Sequence, residues 1–241
     1  MFKEKITSIE DVFKNDSSKR GFLINLLMCF LTFLTFYFGP SIFNIILSSF
    51  YKNELVCTTV AKLLTIFLMI LYFYKDLVKE FKELKTKPGS KIGTALKYYG
   101  IGFGIMVVSN LILLLVFKSI ATNESEVREI LKASPVLMMF TISVIAPLSE
   151  ELAFRKSLSS LFKNKWLFAI TSGILFGLAH LMIEITAPGF NVARLLYVIP
   201  YGSLGFAFAL MNRDNNTTFS SIIIHGIHNC CTGLLILLSG V

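Results

Sequence analysis

Apolar residues in this chain come in long runs, at 22–38, 56–74, 94–117, 135–162, 166–182, 193–211 and 218–239, separated by short polar stretches. Runs that are apolar on every face are not the amphipathic helices of a soluble domain. A helix needs about 20 residues to cross about 30 Å of hydrocarbon, so the pattern predicts seven membrane spans. Gly39 and Pro40 are expected to kink or end the first helix, leaving 39–51 as a partial segment near the interface. Between the second and third spans, "DLVKEFKELKTK" sets Leu77, Phe81 and Leu84 at helical spacing among lysines. That stretch reads either as a helix lying on an anionic inner leaflet or as a solvated linker.

Composition agrees: 54% of the 241 residues are hydrophobic and 16% charged, with a mean hydropathy of +0.70, outside the soluble range. The net charge of +8 is unevenly placed. Lys3, Lys5, Lys14, Lys19 and Arg20 precede the first span; Lys75, Lys79, Lys82, Lys85, Lys87 and Lys91 fill the second connection; Lys163 and Lys165 lie in the fourth, and Arg213 in the sixth. The alternate connections hold little beyond Lys52, Lys118, Arg128, Lys132 and Arg194. By the positive-inside rule the N-terminus is cytoplasmic and the C-terminus outside. The expected fold is therefore all-α, a polytopic bundle of about seven spans in the cell membrane, and its basic charge needs no nucleic acid as partner. The first span has no small-residue cleavage site after it and reads as a retained anchor. Cys29, Cys57, Cys230 and Cys231 lie in or beside spans without CxxC spacing and read as apolar filler.

Ionisable and amide groups inside spans are costly and usually face a bundle interior. They are Lys62, Lys97, Glu150, Glu151, Arg155, His180, His225, His228 and Asn229. Lys62 and Lys97 lie near helix ends and are expected to snorkel. Glu150 is 13 residues before Lys163 and His180 is 15 after Lys165, so each sits roughly 20 Å from the "KNK" turn along its helix. His225 and Asn229 lie roughly 14 and 20 Å along a last helix that starts near Asn216. Three spans thus bring carboxylate, imidazole and amide to one depth. Glu151 and Arg155 form an (i, i+4) pair, and Glu150 is turned about 100° from Glu151. Pro147 removes a backbone donor just before the acids. Gly173 and Gly177 offer a bare face to a neighbouring helix, with His180 one turn on, and Gly205 and Ala209 repeat the device.

Two classes of chemistry fit. Glu150 with His180 activates a water as general base, while His225 and Asn229 donate to the oxyanion of a peptide carbonyl. Alternatively Glu150, His180 and His225 hold zinc, although HExxH is absent. Both are hydrolysis. A structural ion pair with histidine glue, in a non-catalytic membrane protein that binds a peptide or membrane partner as an immunity or scaffold protein, is the reading from another class. A proton-coupled transporter lacks the expected inverted repeat.

"APLSEELAFR", "FGLAH" and "HGIHN" resemble, in order, the EExxxR, FxxxH and HxxxN motifs of the CPBP (Abi) family, which includes CAAX prenyl endopeptidases and bacteriocin-processing or self-immunity proteins. The resemblance covers about residues 135–235 and implies a CPBP-like catalytic core over 131–241; residues 1–130 read, from their own pattern, as N-terminal membrane helices with a basic cytoplasmic linker at 75–91, one integral unit with that core. It implies an intramembrane endopeptidase with Glu150 as catalytic acid, His180 assisting, His225 and Asn229 on the substrate carbonyl, and Glu151 and Arg155 in support. The substrate would be a peptide or lipidated protein beside membrane lipids, presented from the cytoplasmic side, and zinc is the one cofactor left open. Many relatives read Gly where this chain has Lys156, a residue expected to snorkel to the inner interface or narrow the entrance.

Overall fold

The computed structural model describes residues 16–119 and 121–239; Lys3, Lys5 and Lys14 of the basic N-terminal cluster lie outside them. The described residues are helical, without strands. The crossings are α1 (Phe22–Ser48), α2 (Glu54–Leu84), α3 (Pro88–Phe117), α5 (Pro135–Ser159), α6 (Lys165–His180), α8 (Val198–Asn215) and α9 (Thr218–Ser239). Between α3 and α5 lies the amphipathic α4 (Thr122–Ala133), and α6 is followed by the short α7 (Met182–Thr186) and a 3-10 turn, Val192–Tyr197. Six of the crossings are long and apolar enough to span a bilayer, and α6 is a shorter apolar helix.

Two expectations about the N-terminal half are corrected. Helix α1 does not stop at Pro40; it runs through it. Gly39 lies against Thr65 of α2, where a Cβ would meet the threonine side chain at 3.0 Å. Packing on a neighbour is what lets a membrane helix tolerate such a break. The lysine-rich stretch is neither a separate surface helix nor a linker; residues 75–84 are the last turns of α2, redirected where Phe73 departs from helical geometry (φ −118°, ψ 15°). Asp76 and Leu77 are buried there, on the face that meets the rest of the bundle.

Polar contacts sort the connections into two ends. At the basic end Lys165 pairs with Asp214 at 3.1 Å, Arg213 Nη2 donates to Phe162 O at 2.6 Å, and Asn215 Nδ2 donates to Lys91 O at 3.0 Å. At the opposite end Tyr197 Oη donates to Ser119 O at 2.6 Å and the Thr122 N–H donates to Glu184 at 2.7 Å. Asn164 caps α6 by accepting from the N–H groups of Trp166 and Leu167, which fixes the "KNK" turn. Asn216 closes α8 in the left-handed region (φ 52°), which asparagine tolerates. The turn into α9 is therefore tight, and it sets the register of His225.

Helix α8 is the most buried crossing and α3 the least. Helices α6 and α8 meet through glycine as the spacing predicts: a Cβ on Gly173 would lie 2.8 Å from Gly202 O, and one on Gly177 2.7 Å from Val198 O. This close approach carries His180 onto Tyr201 of α8, ring on ring at 4.7 Å and 22°.

Candidate active site

Helix α5 carries the two acids between two π-helical turns, Thr141–Ile145 and Leu152–Lys156. In the first, the Ala146 N–H reaches back five residues to Thr141 O. Pro147 has no N–H with which to continue the pattern, so Ile142 O receives no helical donor at that spacing. Asn229 of α9 supplies one, with Nδ2 donating to Ile142 O at 2.8 Å. Ser143 O, four residues before Pro147, lies against Gly226, where a Cβ would intrude to 2.6 Å. The "HGIHN" turn of α9 thus docks onto the proline-marked turn of α5, and Pro147 reshapes the helix rather than breaking it.

That docking sets His225 between the acids. Its Nδ1 lies 2.9 Å from Glu151 Oε1; a carboxylate only accepts, so Nδ1 carries the proton. Its Nε2 lies 3.6 Å from Glu150 Oε2. The ring stacks on Phe208 at 4.9 Å and 30°. Glu151 also pairs with Arg155, Nη1 to Oε1 at 3.2 Å, and both side chains are 0% exposed. The guanidinium lies over Phe176 at 4.4 Å and Phe208 at 5.4 Å, and Nη2 donates to Gly205 O at 3.2 Å. Glu151 Oε1 is therefore held by both Arg155 and His225, and the side chain has no exposure to the cavity. Glu150 keeps 17% of its side chain exposed, and its Oε2 accepts no hydrogen bond from the described residues.

Glu150, His180, His225, His228 and Asn229 line one cavity of about 310 Å³. His180 donates Nδ1–H to Phe176 O at 2.9 Å, so its Nε2 is the lone-pair nitrogen when the ring is neutral. His228 joins α9 to α3, with Nδ1 at 3.1 Å from Tyr99 Oη and edge-on contacts to Tyr99 and Phe103. Among the described residues no group of three or more His, Cys, Asp or Glu side chains is arranged to hold a metal ion.

Further lining residues escaped the sequence reading: Met106 and Asn110 of α3, Asn123, Glu124 and Val127 of α4, and Tyr201 of α8. The one available signal was weak: Asn123, Glu124 and Val127 share a face of an amphipathic helix. Two lysines are corrected. Lys62 does not simply snorkel; it is half-buried and lines a second cavity of about 200 Å³ that reaches the other side of Glu150. Lys156 is buried rather than interfacial, paired with Glu80 at 2.6 Å and Asp76 at 3.2 Å on the extension of α2. Glu80 in turn accepts from the Thr218 N–H at 2.7 Å, holding the start of α9. Lys97 is exposed, as a snorkelling residue would be.

The family model for Rce1-like type II CAAX prenyl endopeptidases matches residues 132–231. The chain is 31% identical over 139 residues to UPF0177 protein YxdF of Lactococcus lactis subsp. lactis (strain IL1403), covering 56% of this chain and 72% of that protein. No solved structure matches it.

Proposed function

The chain belongs to the CPBP family of multi-pass membrane proteins, and we propose that it is an intramembrane endopeptidase in which Glu150 activates the hydrolytic water. The observation carrying this reading is the contrast between adjacent carboxylates: Glu151 is sealed by Arg155 and His225, while Glu150 stands unbonded at the wall of a cavity with an imidazole 3.6 Å away.

In the proposed reaction Glu150 takes a proton from a water whose second hydrogen is accepted by His180 Nε2. The hydroxide attacks the peptide carbonyl and charge develops on its oxygen. Protonated His225, its Nδ1–H fixed on Glu151, offers Nε2–H to that oxyanion, and the carboxylate behind it stabilises the imidazolium. Asn229 has one N–H on Ile142 O, so it positions α9 against α5 and has its second N–H left for the carbonyl. Glu150 then gives its proton to the departing amine, which restores the carboxylate. General acid–base catalysis of this kind contributes about 10² to 10⁴ in rate, and one oxyanion donor about 10² to 10³. A purely binding protein needs the cavity but has no use for an unbonded buried acid beside an imidazole.

The test compares new peptide termini in membranes of cells carrying the wild-type chain, Glu150→Gln or His180→Ala at matched protein level. Both variants are expected to lose every terminus that depends on the wild-type chain. Termini that persist with both would overturn the assignment.

A further inference from the structure

The position of the cavity within the bundle bears on which side of the membrane supplies the substrate. Its lining residues come from particular ends of their helices: Met106 and Asn110 from the later part of α3, Phe176 and His180 from the end of α6, Pro200, Tyr201 and Leu204 from the start of α8, and Thr232, Gly233 and Ile236 from beyond the middle of α9. Asn123, Glu124 and Val127 of α4 complete it. All of these lie toward the end where Ser119 meets Tyr197 and Thr122 meets Glu184. No residue of the connections at 85–91, 160–164 or 216–217 lines it.

On the other side of the acids the bundle is packed shut. Leu152, Ala153, Phe154, Arg155, Met211 and Ser221 are essentially unexposed and line none of the cavity. Beneath them Lys156 is locked to Asp76 and Glu80, and Asn212 Nδ2 donates to Thr218 Oγ1 at 2.9 Å. A peptide approaching from that end would have to open a buried ion cluster, whereas one approaching from the α4 end enters existing space.

The charge pattern says which end is which. The packed end carries Lys75, Lys79, Lys82, Lys85, Lys87, Lys91, Lys163, Lys165 and Arg213, while the α4 end carries only Lys52, Lys118, Arg128, Lys132 and Arg194. The excess of lysine and arginine marks the cytoplasmic face. We infer that the site is filled from the non-cytoplasmic side, and that the substrate is a peptide or protein segment exposed at, or anchored in, the outer leaflet. This reverses the cytoplasmic presentation expected from the sequence, and its substrate half rests on the protease reading above. Asn110 and Asn123 near the mouth offer amide donors and acceptors to an extended backbone, and Met106, Val127 and Ile236 offer apolar contact to its side chains.

Access is tested by thiol labelling in a Cys230→Ala, Cys231→Ala background, since Cys29 and Cys57 are buried. Asn123→Cys is expected to react with a membrane-impermeant sulfonated maleimide in intact cells at least tenfold faster than Lys163→Cys, which should react only after permeabilisation. The opposite order, or an Asn123→Cys that reacts in neither condition, would overturn the inference. The substrate half is read from termini present with wild type and missing with Glu150→Gln. Termini mapping to non-cytoplasmic segments support it. Termini in cytoplasmic segments overturn it while leaving the protease reading intact. Their complete absence overturns the protease reading and with it the substrate half, and the labelling still decides from which side the cavity is reached.

Discussion

The two halves of the bundle on either side of the acids are built on opposite terms. Toward the basic end the charges on and beside α5 are paired: Arg155 with Glu151, Lys156 with Asp76 and Glu80, and, at the turn, Lys165 with Asp214. Toward the α4 end polar groups face space, and Glu150 opens onto the cavity with no hydrogen bond to Oε2 from the described residues. Adjacent glutamates thus have opposite duties. Glu151 belongs to the half whose charges hold the helices in place, and Glu150 to the half that leaves room for a reaction.

Substitutions should separate these duties. The largest effect is expected for Glu150→Gln, with chain-dependent peptide termini falling by roughly three orders of magnitude while the melting temperature in detergent stays near that of wild type. Glu151→Ala should do the reverse first, costing about 3–5 kcal/mol by leaving Arg155 buried and unpaired; a calorimetric scan that finds it as stable as Glu150→Gln would erase the contrast. Lys156→Met should cost about 3 kcal/mol for the same reason, read in the same scan, and should loosen the start of α9, seen as faster amide exchange near Thr218. Gly226→Ala is expected to cost about 1–3 kcal/mol by overpacking against Ser143 O, and to lower cleavage by displacing His225.

The smallest effect belongs to the clasp at the α4 end. Burial alone would push the Glu184 carboxyl up, but hydrogen bonds from Arg194 and Thr122 hold it below its ordinary value. A carboxyl depressed in the folded state stabilises the fold above its ordinary range and loses that contribution as pH falls through the depressed value. Glu184→Gln should therefore flatten the acid side of the stability profile below about pH 4.5, by less than about 1 kcal/mol for a partly exposed pair, and urea unfolding at pH 7 and pH 3.5 measures it.

Much of this architecture is legible in the sequence because it follows from local periodicity. Long apolar runs give the crossings, the 100° between Glu150 and Glu151 gives the division between them, and small residues at four-residue spacing give the α6–α8 contact. Depth counted from the "KNK" turn places Glu150 and His180 on one cavity. What the sequence conceals depends on distant partners. Lys156 reads as interfacial until Asp76 and Glu80 stand beside it, 80 and 76 positions earlier in the chain. The end of α2 reads as solvated because lysines outnumber Asp76, Leu77 and Glu80, the residues that make its contacts. Pro40 reads as a break because the helix face that supports Gly39 belongs to α2. Which side the cavity faces is a property of seven helices together, and no single motif carries it.

The π-helical turns around Ala146–Glu151 give α5 an uneven sensitivity to counting. Each accommodates one residue more than an α-helical turn in the same space, so a residue lost from Thr141–Ile145 would let that turn close as an α-helix and leave both acids on their faces, while removing the irregular carbonyl on which Asn229 docks. A residue lost from the α-helical stretch between the two turns has no such slack, and carries every later position round by about 100°. Tolerance of insertions and deletions usually falls off between loops and cores; here it changes within one crossing, from the turn that holds a spare residue to the turn that holds none.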